Sequence, residues 1–199
     1  MLPPLRDDKG STIPLYVWLV GMLLFAAFVF FVFAKGAVAR NGAQSAADAA
    51  ALAAAQEVRD ELRLEFIAGL PTGAWVLPLE GKIPSPSNGL PAAQHLAAEN
   101  DSTVQYVHPT FVKGDLAYKA RIQTNYTVGD SLVPGTEAKR AHADATAVIE
   151  PRCHMVANVP GQTIEFFCDG SGLWVIDPKT FNAGDLPTAQ ELYEVNLAE

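Results

Sequence analysis

From Ile13 to Phe33 the chain reads IPLYVWLVGMLLFAAFVFFVF, apolar on every side and without a charged residue. At about 1.5 Å rise per residue this run makes a helix of roughly 32 Å, enough to cross the hydrocarbon core of a bilayer. A soluble helix has no use for apolar side chains all round over that length, so residues 13–34 are predicted to be a single transmembrane helix. Pro14 falls in the first turn, where its missing N–H costs no hydrogen bond, and Ser11 or Thr12 can cap it.

Past the span, nothing stops a helix before Gly69 and Pro71. Nine of the thirteen residues from Ala43 to Ala55 are alanine, the best helix former. Ala43, Ala46, Ala47, Ala50, Ala54, Val58 and Leu62 recur at spacings of three and four and share a face, whereas Asn41, Ser45, Asp48, Gln56, Arg59 and Arg63 lie mostly opposite. Span and alanine-rich helix (residues 35–70) are therefore predicted to form one rod of about 55 residues. An alanine face buries little area but admits another backbone closely. Ala43, Ala46, Ala47, Ala50 and Ala54 are the candidate helix-packing residues, on this chain's own sheet or also on helices of other subunits; over residues 34–47, nearest the span, the domain is not expected to reach back, which favours intermolecular packing there.

Beyond the rod the pattern changes. Residues 71–90, with Pro71, Pro78, Pro84 and Pro86 interspersed with Gly73, Gly81 and Gly89, read as a loop that Trp75, Val76 and Leu77 pin to the domain surface. Pro91 to Glu99 reads as a short helix. After Asn100 apolar and polar residues alternate: Ser102–Val112 and Leu116–Val128 are predicted strands, the second with Leu116, Tyr118, Ala120, Ile122, Tyr126 and Val128 on one side. Gly129, Asp130, Pro134 and Gly135 mark a turn. Glu137–Ile149 alternates again, with Ala141, Ala143, Ala145, Ala147 and Ile149 facing one way, small enough to lie close over a helix. Ile164–Cys168 and Leu173–Ile176 are short strands around the turn 169–172, and Thr188–Leu197 is predicted to be a last helix. The fold class is α+β: a long N-terminal helix followed by a small antiparallel sheet in an outer domain, residues 91–199.

The formal net charge of the 199-residue chain is −8. Setting aside the first 40 residues leaves 10 basic and 20 acidic side chains, a net of −10, which as a whole repels nucleic acid and anionic lipid headgroups and disfavours DNA or RNA as a partner. The two cysteines, Cys153 and Cys168, cannot build a four-ligand zinc site without histidine. They are read as a disulfide, the alternative being two buried free thiols; a disulfide would place the domain in an oxidising compartment. Arg6 and Lys9 before the span balance Lys35 and Arg40 after it, so basic residues do not set the orientation. The short tail 1–12 and the cysteine pair favour the N-terminus inside. Ala37-Val38-Ala39 matches a signal-peptidase site, but the apolar run exceeds the usual signal-peptide core.

Residues 10 to 55 resemble the N-terminus of the TadE/TadG-like proteins of the Flp (tight-adherence) pilus assembly system. The resemblance lies in a short tail, the Gly10-Ser11 junction, one span, and then Gln44-Ser45-Ala46-Ala47-Asp48-Ala49-Ala50-Ala51-Leu52-Ala53-Ala54-Ala55 at a fixed offset. It implies a pilin-like protein of the cytoplasmic membrane, with its C-terminal domain outside. Related pilin precursors are cut after a glycine and carry a glutamate at the fifth mature position. Here the fifth residue after Gly10 is Leu15, preceded by Pro14, so an uncleaved anchor is expected.

No catalytic constellation emerges. His95, His108, His142 and His154 form no two-histidine helical pair or Cys–His metal motif, and no nucleophile elbow or phosphate loop is present. Asp169-Gly170-Ser171-Gly172 lacks the ligands of a calcium loop and reads as a tight turn. Asn100 and Asn125 begin glycosylation sequons, meaningful only in a eukaryotic source. Glu191, Glu194 and Glu199 make an acidic end best explained by solvation. The expectation is therefore a structural, non-enzymatic component without cofactor or metal. Its partners would be the lipid bilayer, other pilin-like or pilus-assembly membrane proteins and further copies of itself. The rival is a single-pass envelope protein whose outer domain binds a soluble ligand or envelope component.

Overall fold

The computed structural model describes residues 12–83, 87–127, 138–158 and 163–198. One helix, α1, runs unbroken from Ile13 to Gly69. Its first half has no cover: Ile13, Trp18, Phe25 and Phe30 are 68–75% exposed. Its second half is the spine of the domain, with Ala46, Ala50, Ala54, Val58, Leu62 and Phe66 all at 0%. Thr12 holds the N-cap position without a side-chain capping hydrogen bond. Gly69 is the last helical residue and not a left-handed stop. It is glycine because a Cβ there would run into the backbone of Ala74 and Trp75 as the chain folds back.

That return contains a one-turn helix, α2 (Val76–Leu79), inside the stretch expected to be a loop. Trp75 is fully buried rather than lying on the surface. An indole at this corner fills the end of the core, edge-on to Phe66 at 6.4 Å. α3 (Leu90–Glu99) then packs along α1.

Four strands form the main sheet: β1 (Ser102–Val112), β2 (Asp115–Thr127), β3 (Arg140–Pro151) and β7 (Tyr193–Leu197), in the order β1-β2-β3-β7. All its pairings are antiparallel. The alternation of β2 and β3 puts Leu116, Tyr118, Ala120, Ile122, Ala145, Ala147 and Ile149 in the buried core against α1. Tyr126, expected on the same inner side, is part-exposed at the strand's end. The expected turn at Gly129, Asp130, Pro134 and Gly135 lies outside the described residues, as do Val128, Glu137, Glu199 and the tail with Gly10-Ser11.

Two expectations are corrected at the C-terminal side. The sheet is not single: β4 (Cys153–Asn158), β5 (Ile164–Cys168) and β6 (Gly172–Ile176) form a second, three-stranded antiparallel sheet. Phe166 joins it to the end of α1, 5.6 Å from Phe66. The predicted last helix is one turn only, α4 (Ala189–Leu192), and Tyr193–Leu197 is β7. Thr188 and Glu191 start that helix with a capping box. The alternating Tyr193, Val195 and Leu197 then pair with the edge of β3, where Tyr193 is buried and its hydroxyl donates to the Pro78 carbonyl at 2.6 Å.

Candidate functional site

The surface with the clearest functional character is the long helix and the end of the domain where it emerges. α1 passes from fully exposed to fully buried within a few turns. Ala39 is already 5% exposed, and Ala43, Ala46, Ala47, Ala50 and Ala54 are at 0–1%. The sheet thus reaches much further back along the helix than the sequence alone led us to expect. Those five alanines are covered by this chain's own sheet and α3, and present no free face to another subunit. The reason is the length of the strands: β2 and β3 run alongside the helix for 13 and 12 residues.

Two contacts fix this end of the domain to the helix. Tyr126, at the end of β2, sets its hydroxyl against Gly42, where a Cβ would collide with it. Gln44 donates to Asp48 at 2.8 Å and reaches the Asp144 carbonyl on β3 at 3.4 Å. Further along, α3 comes so close that Gly89, at φ +65°, lies on the backbone of Ala54. The Glu57 carboxylate accepts from the Ala92 N–H at the first turn of α3, at 3.0 Å. From sequence Tyr126 is read only as an inward strand residue and Gly89 as a loop glycine, and neither they nor Gly42 and Glu57 are assigned a contact with the long helix. A glycine or a glutamate has no periodicity to betray such a contact, although Gly89 just before Pro91 is a turn signal in hindsight.

Cys153 and Cys168 form a disulfide, with Cα atoms 4.0 Å apart across directly paired positions of β4 and β5. Both are buried in the core. The histidines are dispersed: His95 faces Glu99 on α3, His108 lies by Tyr106, His142 by Gln123, and His154 against Phe167. Among the described residues no three histidine, cysteine, aspartate or glutamate side chains gather as a metal site. Burial raises the Tyr118 hydroxyl to about 12, with the nearby Glu61 carboxylate adding to the shift, and burial alone raises Tyr193 further. Both are packing residues. Asp177 and Glu191 are held below the usual carboxylate range, chiefly by the backbone N–H groups of Lys179 and Thr188.

These features define an α+β protein hung on one helix that is long and apolar enough to cross a membrane. Residues 10–57 match the family described as "Putative Flp pilus-assembly TadE/G-like". The match covers about a quarter of the chain, and over that segment the chain is similar to TadE/TadG-like pilus-assembly proteins. The family is a pilus-assembly component and not a known class of enzyme. No curated protein and no solved structure matches the chain.

Proposed function

We propose that this protein is a membrane-anchored, pilin-like structural component of a Flp/Tad-type pilus assembly system, with its N-terminus inside the cytoplasmic membrane and its domain outside. The observation that carries the reading is the continuity of α1. From Ile13 on, the segment matching the pilus-assembly family is one helix that leaves an uncovered apolar half and enters the domain core without a break. Such a rod transmits the position of the domain to the bilayer and the reverse, as a structural subunit requires. The buried disulfide supports an oxidising location for the domain.

Since the alanine face is occupied within the chain, contacts with other pilin-like helices run along the exposed part of α1. There Gly21 and Gly36 have open space where a Cβ would point, so a neighbouring helix can approach closely. The test is a photo-crosslinking residue at Val38, which is 71% exposed, in cells that assemble the pilus, with carbonate extraction and outside labelling of Ser45→Cys. Cross-links to a pilus-assembly membrane protein, resistance to extraction and labelling from outside are expected. Labelling only from the cytoplasm overturns the orientation, and release by carbonate overturns the anchor.

A further inference from the structure

We propose that the end of the domain nearest the span, marked by Lys35, Arg40, Tyr126, Lys139 and Arg140, rests on an anionic lipid headgroup layer and so fixes how the domain stands on the bilayer. The inference depends on the membrane-anchored reading, but not on its orientation, because all five residues lie on the domain's side of the span.

Height decides the matter. Ala39, already buried, is six residues past Phe33, which places it about 9 Å beyond the apolar run; Gly42, under Tyr126, is about 14 Å beyond it. Headgroups occupy roughly 5–8 Å on each side of the hydrocarbon. The end of the sheet therefore stands within about one Debye length, ~8 Å, of the lipid phosphates. No flexible stalk separates them, because α1 is continuous and is clamped by Tyr126 at Gly42 and by Gln44 at β3.

Chemistry agrees with height. Arg140 is paired with Thr127 at this end of the sheet, Lys139 precedes it, and both are exposed, as are Lys35 and Arg40 on the helix. Long cationic side chains reach down to headgroups while their stems stay on the protein, and tyrosine favours the interface. Among the described residues, the carboxylates towards this end are Glu99 and Asp101 at the α3–β1 junction, where the Asp101 carbonyl accepts from the Asn125 N–H, and Asp48 and Asp144 beside Gln44, with Asp144 paired to Arg121 at 3.5 Å. Lys35 and Arg40 on the helix and Lys139 and Arg140 on the sheet side are the exposed cations nearest the span in a chain whose soluble part is otherwise strongly acidic.

The test uses the full chain in nanodiscs of phosphatidylcholine alone or with about one third phosphatidylglycerol. A fluorophore is placed on Asn125→Cys, the native cysteines being tied in their disulfide, and a quencher on the headgroups. Quenching about twofold stronger in anionic discs is expected, abolished by about 0.5 M salt and by Lys139→Glu with Arg140→Glu. A label on Leu173→Cys, on the second sheet, should escape quenching in both lipids. Equal quenching of residue 125 in the two lipids, indifference to charge reversal, or quenching of residue 173 overturns the proposal while leaving the anchor intact. Failure of the chain to enter nanodiscs overturns the anchor itself, and the proposal with it.

Discussion

Gly89 and Ala54 touch backbone to backbone: a side chain on Gly89 would overlap the Cα, carbonyl carbon and oxygen of Ala54. The contact shows what the alanine-rich helix is for within this chain. Small side chains on α1 and no side chain on Gly89 let α3 lie directly on the spine. Gly89→Ala is expected to destabilise the domain by ~2–4 kcal/mol, from overlap with a neighbouring backbone and the left-handed φ. Thermal unfolding of the detergent-solubilised chain measures this, and a change below about 0.5 kcal/mol would contradict the contact.

The buried and exposed parts of α1 should answer differently to the same substitution. Ala50→Leu overfills the core and is expected to cost about 1–3 kcal/mol or more. Gly36→Leu, where nothing lies within 4 Å of a Cβ, should leave unfolding unchanged and reduce cross-linking to neighbouring helices. If Ala50→Leu left stability intact and removed only cross-linking, the alanine face would be intermolecular after all.

Removing the Tyr193 hydroxyl takes one of two hydrogen bonds from the Pro78 carbonyl, which keeps the Gly81 N–H at 2.8 Å. Tyr193→Phe is expected to lose ~0.5–1.5 kcal/mol, read by urea unfolding, with little change in near-neutral pH dependence.

Alkali should unfold the domain in a defined window. Tyr118 is raised to about 12 and Tyr193 further, so both hold their protons more tightly folded than unfolded. Their contribution is complete below the unfolded value near pH 10 and falls as pH rises through the folded values, by about 1.4 kcal/mol per pH unit for each. Absorbance of tyrosinate against circular dichroism between about pH 9 and 12 checks it: the two tyrosines should ionise with unfolding and not before it.

The Cys153–Cys168 bridge closes a loop of 15 residues. Replacing both cysteines by alanine should cost ~3 kcal/mol, with proteolysis appearing first in β4–β6 while α1 and the main sheet persist. Cleavage beginning in β1 or β2 instead would contradict that order.

Much of this fold is legible residue by residue. β1 occupies the predicted Ser102–Val112, and β2 and β3 follow because alternation commits one side of each strand to the core. β4 escapes notice because Cys-His-Met-Val-Ala-Asn carries no clean alternation and pairs through an irregular register at Met155/Ala157. The C-terminal segment is ambiguous by nature. Its capping box calls for a helix, and its Tyr193, Val195 and Leu197 call for a strand. An open edge on β3 decides for the strand after one turn.

By itself the sequence determines the rod, since no polar residue interrupts Ile13–Phe33 and no helix breaker precedes Gly69. It determines the alternating strands and makes the cysteine pair available. Only the tertiary structure decides what covers the alanine face. Helical periodicity specifies which side chains share a side, but it carries no information about the partner. A backbone brought near by Gly89, a tyrosine set on Gly42 and strands as long as β2 and β3 supply that partner from within the chain. The same geometry leaves the domain no stalk and holds it against the exposed apolar half of its own helix.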